Sequence, residues 1–523
     1  MPRRRMLLSA VAAGCAATLL LGACGAQNDE GPSGGVEAGD PVAGGDLVVL
    51  QTGEPRSLDP AALSNTWSHQ PVLGNALYGT LMVNDVDTFD IEYKMATGFS
   101  TTDGGTTFLL TLRPGLTFTD GTPLDAAAVK FNWDRMGDPA VGSTTIRWAG
   151  QIAGTEVIDP ETLRVIMRSP NPHFAQSVVS SGLNWIASPD ALGKGQAAFD
   201  ENPIGAGPFT LTRWTRQDSI ELAKNPGYWD APKPYLDSLT IRTVSDTNQR
   251  VNAITTGAAD LASETNWASL KNVESAGYSY EVVPTGGGQF IGMNFARAPF
   301  DDERARRAVA LAVDLDAVNT AVYNGEGQVP QTLFEENSPY FSDIELGRTD
   351  PEAAQQLFDE LAAEGKPVSF TFLSYPTTES KTLGEALQAQ LSAYDNVEAK
   401  VDVVDYATAT ARSGARDFDM FISSAVIQDP DSPLWMAFHT DSPGNVIGID
   451  DPELSAALDA GRSAGTVDER KAAYETVQQR LVALNPGIWY YRAVPAVVMG
   501  ADVHGVELYG LGSPLPEEIW STE

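Results

Sequence analysis

Residues 107–135, TFLLTLRPGLTFTDGTPLDAAAVKFNWDR, constrain the fold more than any other stretch of the chain. Large apolar side chains fall on every second position across residues 108–112, the pattern of a strand with one buried face. Pro114-Gly115 then predicts a turn. Residues 116–119 predict a short return strand.

A helix is predicted to follow this pair of strands. Asp120-Gly121 marks a second turn, and Asp125 can cap a helix whose apolar residues recur at helical spacing as far as Trp133. The segment therefore predicts strand, turn, strand, turn and helix.

As a string, this segment resembles the signature of family 5 extracytoplasmic solute-binding proteins, the oligopeptide, dipeptide and nickel binders of ABC importers. Their pattern is roughly Y-x-F-x-L-R-x-G-(V/L)-x-F-x-D-G-x-P-(F/L)-x-A-x-D-V-x-(F/Y). The chain departs from it mainly at Ala128, where the family usually has Asp. That position belongs to the predicted helix, so the departure leaves the functional interpretation unchanged.

Other segments resemble the same family, weakly one by one and strongly as a series. They are SLDP at 57–60, ALYGTL at 76–81, PIGAGPF at 203–209, KNPGYW at 224–229, GAADL at 257–261 and NFARAPFDDERARRAVALAVDLD at 294–316. Gly205 and Gly207 do not predict a nucleotide-binding loop, because no third glycine follows and Pro208 removes a needed N–H donor.

The resemblance implies an α/β fold of the type II periplasmic-binding-protein kind, with two α/β lobes, a hinge and an extra domain (the three-domain cluster C architecture). Residues 351–404 agree, because they alternate predicted helices and strands. The glycine run at 286–288 is predicted to form the hinge or a close backbone approach to the ligand, with a plain loop as the alternative. The predicted order is signal peptide 1–23, tether 24–46, domain I in 47–70, domain II in 71–203, domain I again in 204–284, domain III in 285–485 and domain I once more in 486–523.

The first residues resemble a bacterial lipoprotein signal. Arginines at positions 3–5 precede an apolar run at 6–21 that is short for a membrane span. The run ends in Leu-Gly-Ala-Cys, similar to a lipobox in which Cys24 carries the lipid. A buried cysteine is the alternative, and general secretion is favoured over the twin-arginine route. Residues 25–46 have almost no large apolar side chains, which predicts a flexible tether.

Composition narrows the class of partner. The formal net charge is −35, which would repel the phosphates of nucleic acid. Of the two cysteines, one lies in the signal and the other is the predicted lipid site, so the mature chain forms no intrachain disulfide. A length of 523 residues with 42% hydrophobic content supports two or three domains.

The resemblance fails across residues 420–430. Peptide-binding relatives have an Asp here that meets the α-ammonium of the ligand, whereas this chain reads MFISSAVIQDP and places Gln428 or Val426 at that position. A buried ammonium without a counter-charge costs several kcal/mol. An ordinary peptide held by that contact is therefore not expected, unless Asp429 or Asp431 substitutes.

Neutral side chains in the same stretch suit hydroxyl and amide groups of a solute. Ser423, Ser424 and Gln428 supply them. Glu54 matches by position a cleft acid of the peptide binders, and a solvated loop acid is the alternative. Further residues predicted to contact the solute are Trp67, Gly287, Gln289, Asn294, Asp429, Asp431 and Trp435.

Catalytic and metal-binding patterns are not found in the sequence. The four histidines, at positions 69, 173, 439 and 504, have no second ligand at metal-binding spacing. No Gly-x-Ser-x-Gly elbow occurs. We therefore expect no catalytic residue, no metal and no cofactor.

These observations favour a lipid-anchored, extracytoplasmic solute-binding protein of an ABC importer. We expect a monomer that binds a peptide or similar small solute and delivers it to permease and ATPase subunits. A non-peptide solute, such as an oligosaccharide, opine or metal chelate, is the alternative on the same scaffold. A cell-envelope hydrolase or chaperone is the alternative from another class, and a catalytic elbow or metal cluster would favour the hydrolase.

Overall fold

The computed structural model describes residues 39–522. The predicted signal peptide at 1–23, the lipid site at Cys24 and the tether as far as residue 38 lie outside the described residues. Within the described part of the predicted tether, the backbone amide of Gly44 donates to the carbonyl of Tyr235 at 2.8 Å.

The strands follow one another along the whole described chain. They are β1 (Asp46–Gln51), β2 (Met82–Asn84), β3 (Ile91–Tyr93), β4 (Ala96–Ser100), β5 (Thr107–Leu112), β6 (Ile152–Asp159), β7 (Thr162–Met167), β8 (Phe209–Thr215), β9 (Ser219–Lys224), β10 (Ser238–Thr243), β11 (Leu261–Glu264), β12 (Ser279–Val282), β13 (Gly286–Met293), β14 (Val368–Ser374), β15 (Val397–Val403), β16 (Met420–Ile427), β17 (Gly487–Tyr491), β18 (Ala496–Met499), β19 (Val503–His504), β20 (Leu508–Tyr509), β21 (Ser513–Pro514) and β22 (Trp520–Ser521).

Helices alternate with these strands. They are α1 (Pro71–Tyr78), α2 (Ala126–Met136), α3 (Ile146–Ala149), α4 (Phe174–Val179), α5 (Pro189–Leu192), α6 (Gln196–Glu201), α7 (Thr247–Thr255), α8 (Trp267–Ser275), α9 (Glu303–Ala312), α10 (Leu315–Tyr323), α11 (Pro351–Ala363), α12 (Thr378–Leu391), α13 (Tyr406–Gly414), α14 (Asp431–Phe438), α15 (Pro452–Ser463) and α16 (Val467–Leu484).

The strands form three larger sheets and three two-stranded pairs in the described part of the chain. The first sheet has the order β12-β18-β11-β1-β10-β9-β8, the second β4-β5-β7-β6, and the third β15-β14-β16-β13-β17. The pairs are β2-β3, β19-β22 and β20-β21. The chain enters the first sheet three times, because β1, β8 to β12 and β18 all belong to it.

The second sheet is built around the segment that dominates the sequence. Phe108, Leu110 and Leu112 of β5 are buried, as their alternation predicts. The carboxylate of Asp125 accepts the Ala128 amide at 2.9 Å, so it caps α2 as predicted.

The return strand predicted at 116–119 is wrong. The structure has a single isolated bridge there, between Thr117 and Pro123. Proline has no backbone N–H, so the pairing cannot continue as a ladder through Pro123.

The third sheet confirms the α/β interpretation of residues 351–404. The elements α11, β14, α12 and β15 follow in that order, and β14 pairs parallel with both β15 and β16. Strands β13 and β17 complete the sheet as antiparallel neighbours.

Two chain segments, 283–285 and 492–495, connect the first sheet with the third. They are hydrogen-bonded to each other, from the amide of Val283 to the carbonyl of Pro495 at 2.9 Å and from the hydroxyl of Thr285 to the carbonyl of Ala493 at 3.0 Å. We call these two segments the crossing.

The crossing corrects two sequence-based expectations. Residues 286–288 lie inside β13 and pair with β16, so the glycine run belongs to the sheet and is not a loop. The positive φ of Gly288 accompanies a close backbone approach, because an added Cβ would lie 2.2 Å from the carbonyl oxygen of Tyr491. A domain boundary at 486 would place β17 with the first sheet, yet β17 pairs with β13 of the third.

Within residues 39–522, no helix is both long enough and apolar enough to cross a membrane.

Candidate functional site

A cavity of about 360 Å³ is lined by residues from several segments that lie far apart in the sequence. Thr66, Trp67 and Ser68 come from the loop before α1. Helices α3 and α4 contribute one side, and β16 with α14 contribute another. The volume is at the lower end of the range for small-molecule sites.

The β16 side presents neutral polar groups. Ser423 and Ser424 lie on the strand, and Ser424 is exposed. Gln428 follows the strand with only 5% of its surface exposed, and its amide oxygen and nitrogen have no hydrogen-bond partner among the described residues. Gln428 also borders a small neighbouring space of about 20 Å³. A buried amide without partners is costly, which is typical of a group that a ligand satisfies.

Trp67 adds a second unsatisfied donor to the cavity. Its backbone amide donates to Leu511 at 3.1 Å, which fixes the loop, and Leu511 also lines the cavity. Its indole Nε1 is buried and has no acceptor in the described part of the chain. Indole N–H is a donor only, so an acceptor on a solute would suit it.

Arg147 of α3 is a charged group on the cavity without an ionic partner. Its guanidinium lies over the ring of Trp148, 3.9 Å from the centroid. No carboxylate in residues 39–522 lies within ion-pair distance of it. Its side chain is exposed by surface area, yet the surrounding protein desolvates the guanidinium and lowers its pKa.

Asp429, the one acidic residue that lines the cavity, is already paired. Both its oxygens accept from Arg470, at 2.7 and 2.9 Å, and Arg470 is nearly fully buried. Desolvation opposes the charge on Arg470, but the Asp429 carboxylate outweighs it and holds the pKa of Arg470 well above its usual value. The Asp429 carboxylate is therefore not free to meet an ammonium group.

Asp431 lies beside the cavity and does not line it. One oxygen accepts from Arg462 at 2.7 Å and the other from the amide of Asn171 at 3.0 Å. His173 makes a second contact across the same boundary, with its Nε2 2.8 Å from the carbonyl of Ala464. We call the pairs Asn171–Asp431 and His173–Ala464 the latch, because they connect the start of α4 with α14 and α15.

Two predicted site residues lie elsewhere. Glu54 accepts from the amide of Gln217 at 3.1 Å and lies 4.0 Å from Arg216, outside the cavity. Asn294 is fully buried, and its amide donates to the carbonyls of Arg416 and Phe418, so it holds the loop after β13.

Three more predicted contacts do not line the cavity. Gly287 packs within β13, where an added Cβ would meet the carbonyl of Ala425. Gln289 accepts a hydrogen bond from the hydroxyl of Tyr490. The indole of Trp435 donates to Asp459 at 3.0 Å, and its ring stacks on His439. Each of these three residues thus has a contact within the protein.

Five of the residues predicted to contact the solute line the cavity, and other lining residues were not predicted. The five are Trp67, Ser423, Ser424, Gln428 and Asp429. The missed ones include Arg147 and Trp148 of α3, Gln176 and Ser177 of α4, and Ser180 directly after α4, and no motif marks them. The sequence signal there is the adjacent pair Arg147-Trp148.

Metal-ligating side chains do not cluster in residues 39–522. No group of three or more His, Cys, Asp or Glu side chains there is arranged to hold a metal ion. The three sheets, the paired crossing and a polar cavity with unsatisfied hydrogen-bonding groups define the class: a protein that holds a small solute between parts of its fold.

Comparison with known proteins identifies the family. The model of bacterial extracellular solute-binding proteins, family 5 (middle part), matches residues 90–445. The chain therefore belongs to this family, whose members are solute-binding proteins of ABC importers, and the signature resemblance is confirmed.

Individual relatives agree with this assignment. The glutathione-binding protein GsiB of Salmonella paratyphi A is 29% identical over 372 residues, which is 70% of each chain. The solved structure of AgaA from A. tumefaciens, in complex with agropinic acid, has a TM-score of 0.77 at 23% identity and covers 92% of this chain and 99% of its own. DppA of Helicobacter pylori, in complex with the peptide STSA, has a TM-score of 0.77 at 22% identity with the same coverage. These likenesses confirm the predicted fold class.

Proposed function

We propose that this protein is the extracytoplasmic receptor of an ABC importer and that it holds its solute in the cavity between α3, α4, β16 and α14. The observation that carries the proposal is the pair of unsatisfied groups on that cavity, the amide of Gln428 and the indole N–H of Trp67. A solute that bonds to both contacts two parts of the fold at once.

The mechanism is a shift of population. A solute that reaches the loop of Trp67, α3 and β16 together binds the closed arrangement better than an open one, so it favours closure. The crossing is the place where the first and third sheets can rotate, because within residues 39–522 the chain passes between them in only two segments. The permease would then recognise the closed form, and ATP hydrolysis belongs to the ATPase subunits. We expect this chain to catalyse nothing and to act as a monomer.

A cavity-filling variant tests the site. In Ser424→Trp a large ring occupies the cavity from an exposed position on β16, so the protein should fold but lose its solute. The matched control is Ser369→Trp, on an exposed position of β14 in the same sheet and outside the cavity. Native mass spectrometry of protein purified without denaturant should show a bound small molecule in the wild type and the control only.

Solution scattering gives the second readout. Removing the solute by unfolding and refolding should increase the radius of gyration. Adding back the small molecules released from the unfolded protein should reduce it. Equal solute in Ser424→Trp, or a profile that never changes, would count against the proposed site or the proposed closure respectively.

A peptide with a free α-ammonium is the less favoured solute. The acids that could bind the ammonium already have partners. Asp429 pairs with Arg470, and Asp431 accepts hydrogen bonds from Arg462 and Asn171. The proposed contacts are therefore Trp67, Ser423, Ser424 and Gln428, with Arg147 added. Glutathione, peptides and an opine are bound by the relatives and are the natural probes.

Membrane attachment is part of the proposal. The lipobox-like end of the signal supports a lipid on Cys24, which would keep the receptor beside its permease. Cys24→Ser should release the mature protein from the membrane fraction of expressing cells. Unchanged membrane association of Cys24→Ser would contradict the lipid anchor.

A further inference from the structure

The cavity is asymmetric in charge. Two of its lining residues are charged, Arg147 and Asp429. Asp429 is neutralised by Arg470 with two short hydrogen bonds, whereas Arg147 has no carboxylate within reach among residues 39–522. A cavity that contains no free acid thus holds one free cation, in a chain whose net charge is −35.

Arg147 is positioned to meet a ligand. Its guanidinium carbon lies over the Trp148 ring, 3.9 Å from the centroid, and both residues line the cavity. Stacking on the ring uses the face of the guanidinium and leaves the N–H groups at its edge free. Those edge donors match the two oxygens of one carboxylate. A dianionic phosphate would need more than a single cation in so acidic a protein.

The remaining groups of the cavity are uncharged. The Gln428 amide offers one acceptor and two donors, and Trp67 offers a donor. Ser423 and Ser424 add hydroxyls. These groups complement hydroxyls, amides or ethers, and none of them can compensate a desolvated ammonium.

We propose that the solute is a small organic acid without a free ammonium group, whose carboxylate binds Arg147 and whose neutral polar body binds Gln428 and Trp67. This inference rests on the proposed function, since it specifies the solute of the same cavity. Acylated peptides and sugar-derived acids belong to this class. Free peptides do not.

Calorimetry with matched probes tests it. The acids are N-acetyl-alanyl-alanine, gluconate and agropinic acid, each paired with its carboxamide, and glutathione provides an acid with a free ammonium. The wild type should bind at least one of the three acids at least tenfold more tightly than its carboxamide and than glutathione. Arg147→Gln should weaken that acid about 10- to 100-fold, the usual range for losing a charge-assisted hydrogen bond.

Two further variants separate a direct contact from a structural effect. Arg147→Lys should recover part of the affinity, because it keeps the positive charge. The recovery should be incomplete, because lysine lacks the paired N–H groups of the guanidinium. Arg216→Gln removes another arginine stacked on a tryptophan, 3.5 Å over Trp214 and outside the cavity, and should leave the affinity unchanged.

The outcomes distinguish the two proposals. If a carboxamide or glutathione binds as tightly as the acid, or if Arg147→Gln binds the acid normally, the acid inference fails while the cavity remains the site. If none of the acids binds but a neutral probe does, the inference also fails and the proposed function survives. If Ser424→Trp keeps its solute, the proposed site fails and the inference fails with it.

Discussion

On the β16 side of the cavity, Asp429 and Asp431 each have an arginine within 2.7 Å, and the pairs lie in the protein interior. On the α3 side, Arg147 has an aromatic ring beneath it and no acid beside it in the described residues. The comparison separates charges that hold the fold together from a charge that remains available. Removing a member of the first group should cost stability, and removing Arg147 should cost binding.

Breaking the Asp429–Arg470 pair should have the largest effect. Asp429→Asn leaves the guanidinium of Arg470 buried without a counter-charge, which should lower the free energy of unfolding by about 3–5 kcal/mol. Urea denaturation measures it. Asp417→Asn is the control, because its pair with Arg297 is exposed and should be worth about 0–1 kcal/mol. Equal losses in the two variants would mean that Asp429 is not structural and is free for a ligand.

The latch should respond to pH. Desolvation, aided by the charge of Arg470, lowers the pKa of His173, so the folded protein binds fewer protons than the unfolded chain. Stability contributed by the neutral ring is present above about pH 6.5 and is lost as the pH falls below it, by at most about 1.4 kcal/mol per pH unit. The loss between pH 7.5 and 5.5 should be smaller in His173→Gln than in the wild type. Identical pH profiles of the two proteins would contradict a contribution of the His173 pKa to the stability of the latch.

The other half of the latch should act on closure. Asn171→Ala removes the donor to Asp431 and should weaken the closed form by about 1 kcal/mol, seen as a larger radius of gyration and a roughly fivefold weaker solute. Asn272→Ala, on an exposed position of α8, is the control. Affinity and scattering that match the control would show that the Asn171–Asp431 bond does not hold the lobes together.

Arg147→Gln should have the smallest effect on stability. Its stacking on Trp148 is exposed and should contribute about 0.5–1 kcal/mol. Thermal unfolding without solute measures it. A loss close to that of Asp429→Asn would show that Arg147 belongs with the structural charges, and the contrast between the two sides would disappear.

Local signals in the sequence were enough for much of the fold. The alternation in β5, the Asp125 cap of α2 and the helix–strand order after residue 351 depend on residues a few positions apart, and the structure has all of them. The strand predicted at 116–119 failed because Pro123 on its partner segment cannot supply a ladder N–H.

The residues of the candidate site were harder to predict, because their roles depend on contacts between residues far apart in the sequence. Asn294 resembled a ligand contact, but its partners are carbonyls 122 and 124 residues away. Asp429 and Asp431 resembled free acids because Arg470 and Arg462 follow them by 41 and 31 positions. Arg147 carried no motif, and its importance comes from the absence of an acidic neighbour in residues 39–522, which only the folded arrangement reveals.

The position of β18 in the first sheet affects the order in which the sheet can fold during synthesis. This strand lies between β11 and β12 and pairs with both, and it ends at Met499. Until that residue has been synthesised, β12 has no partner in the sheet and one edge of β11 stays open. An open edge invites pairing with other chains, and a sheet that needs its last strand folds late. The first sheet of the described chain therefore stays incomplete until this carboxyl-terminal strand has been added, however early its other strands are synthesised.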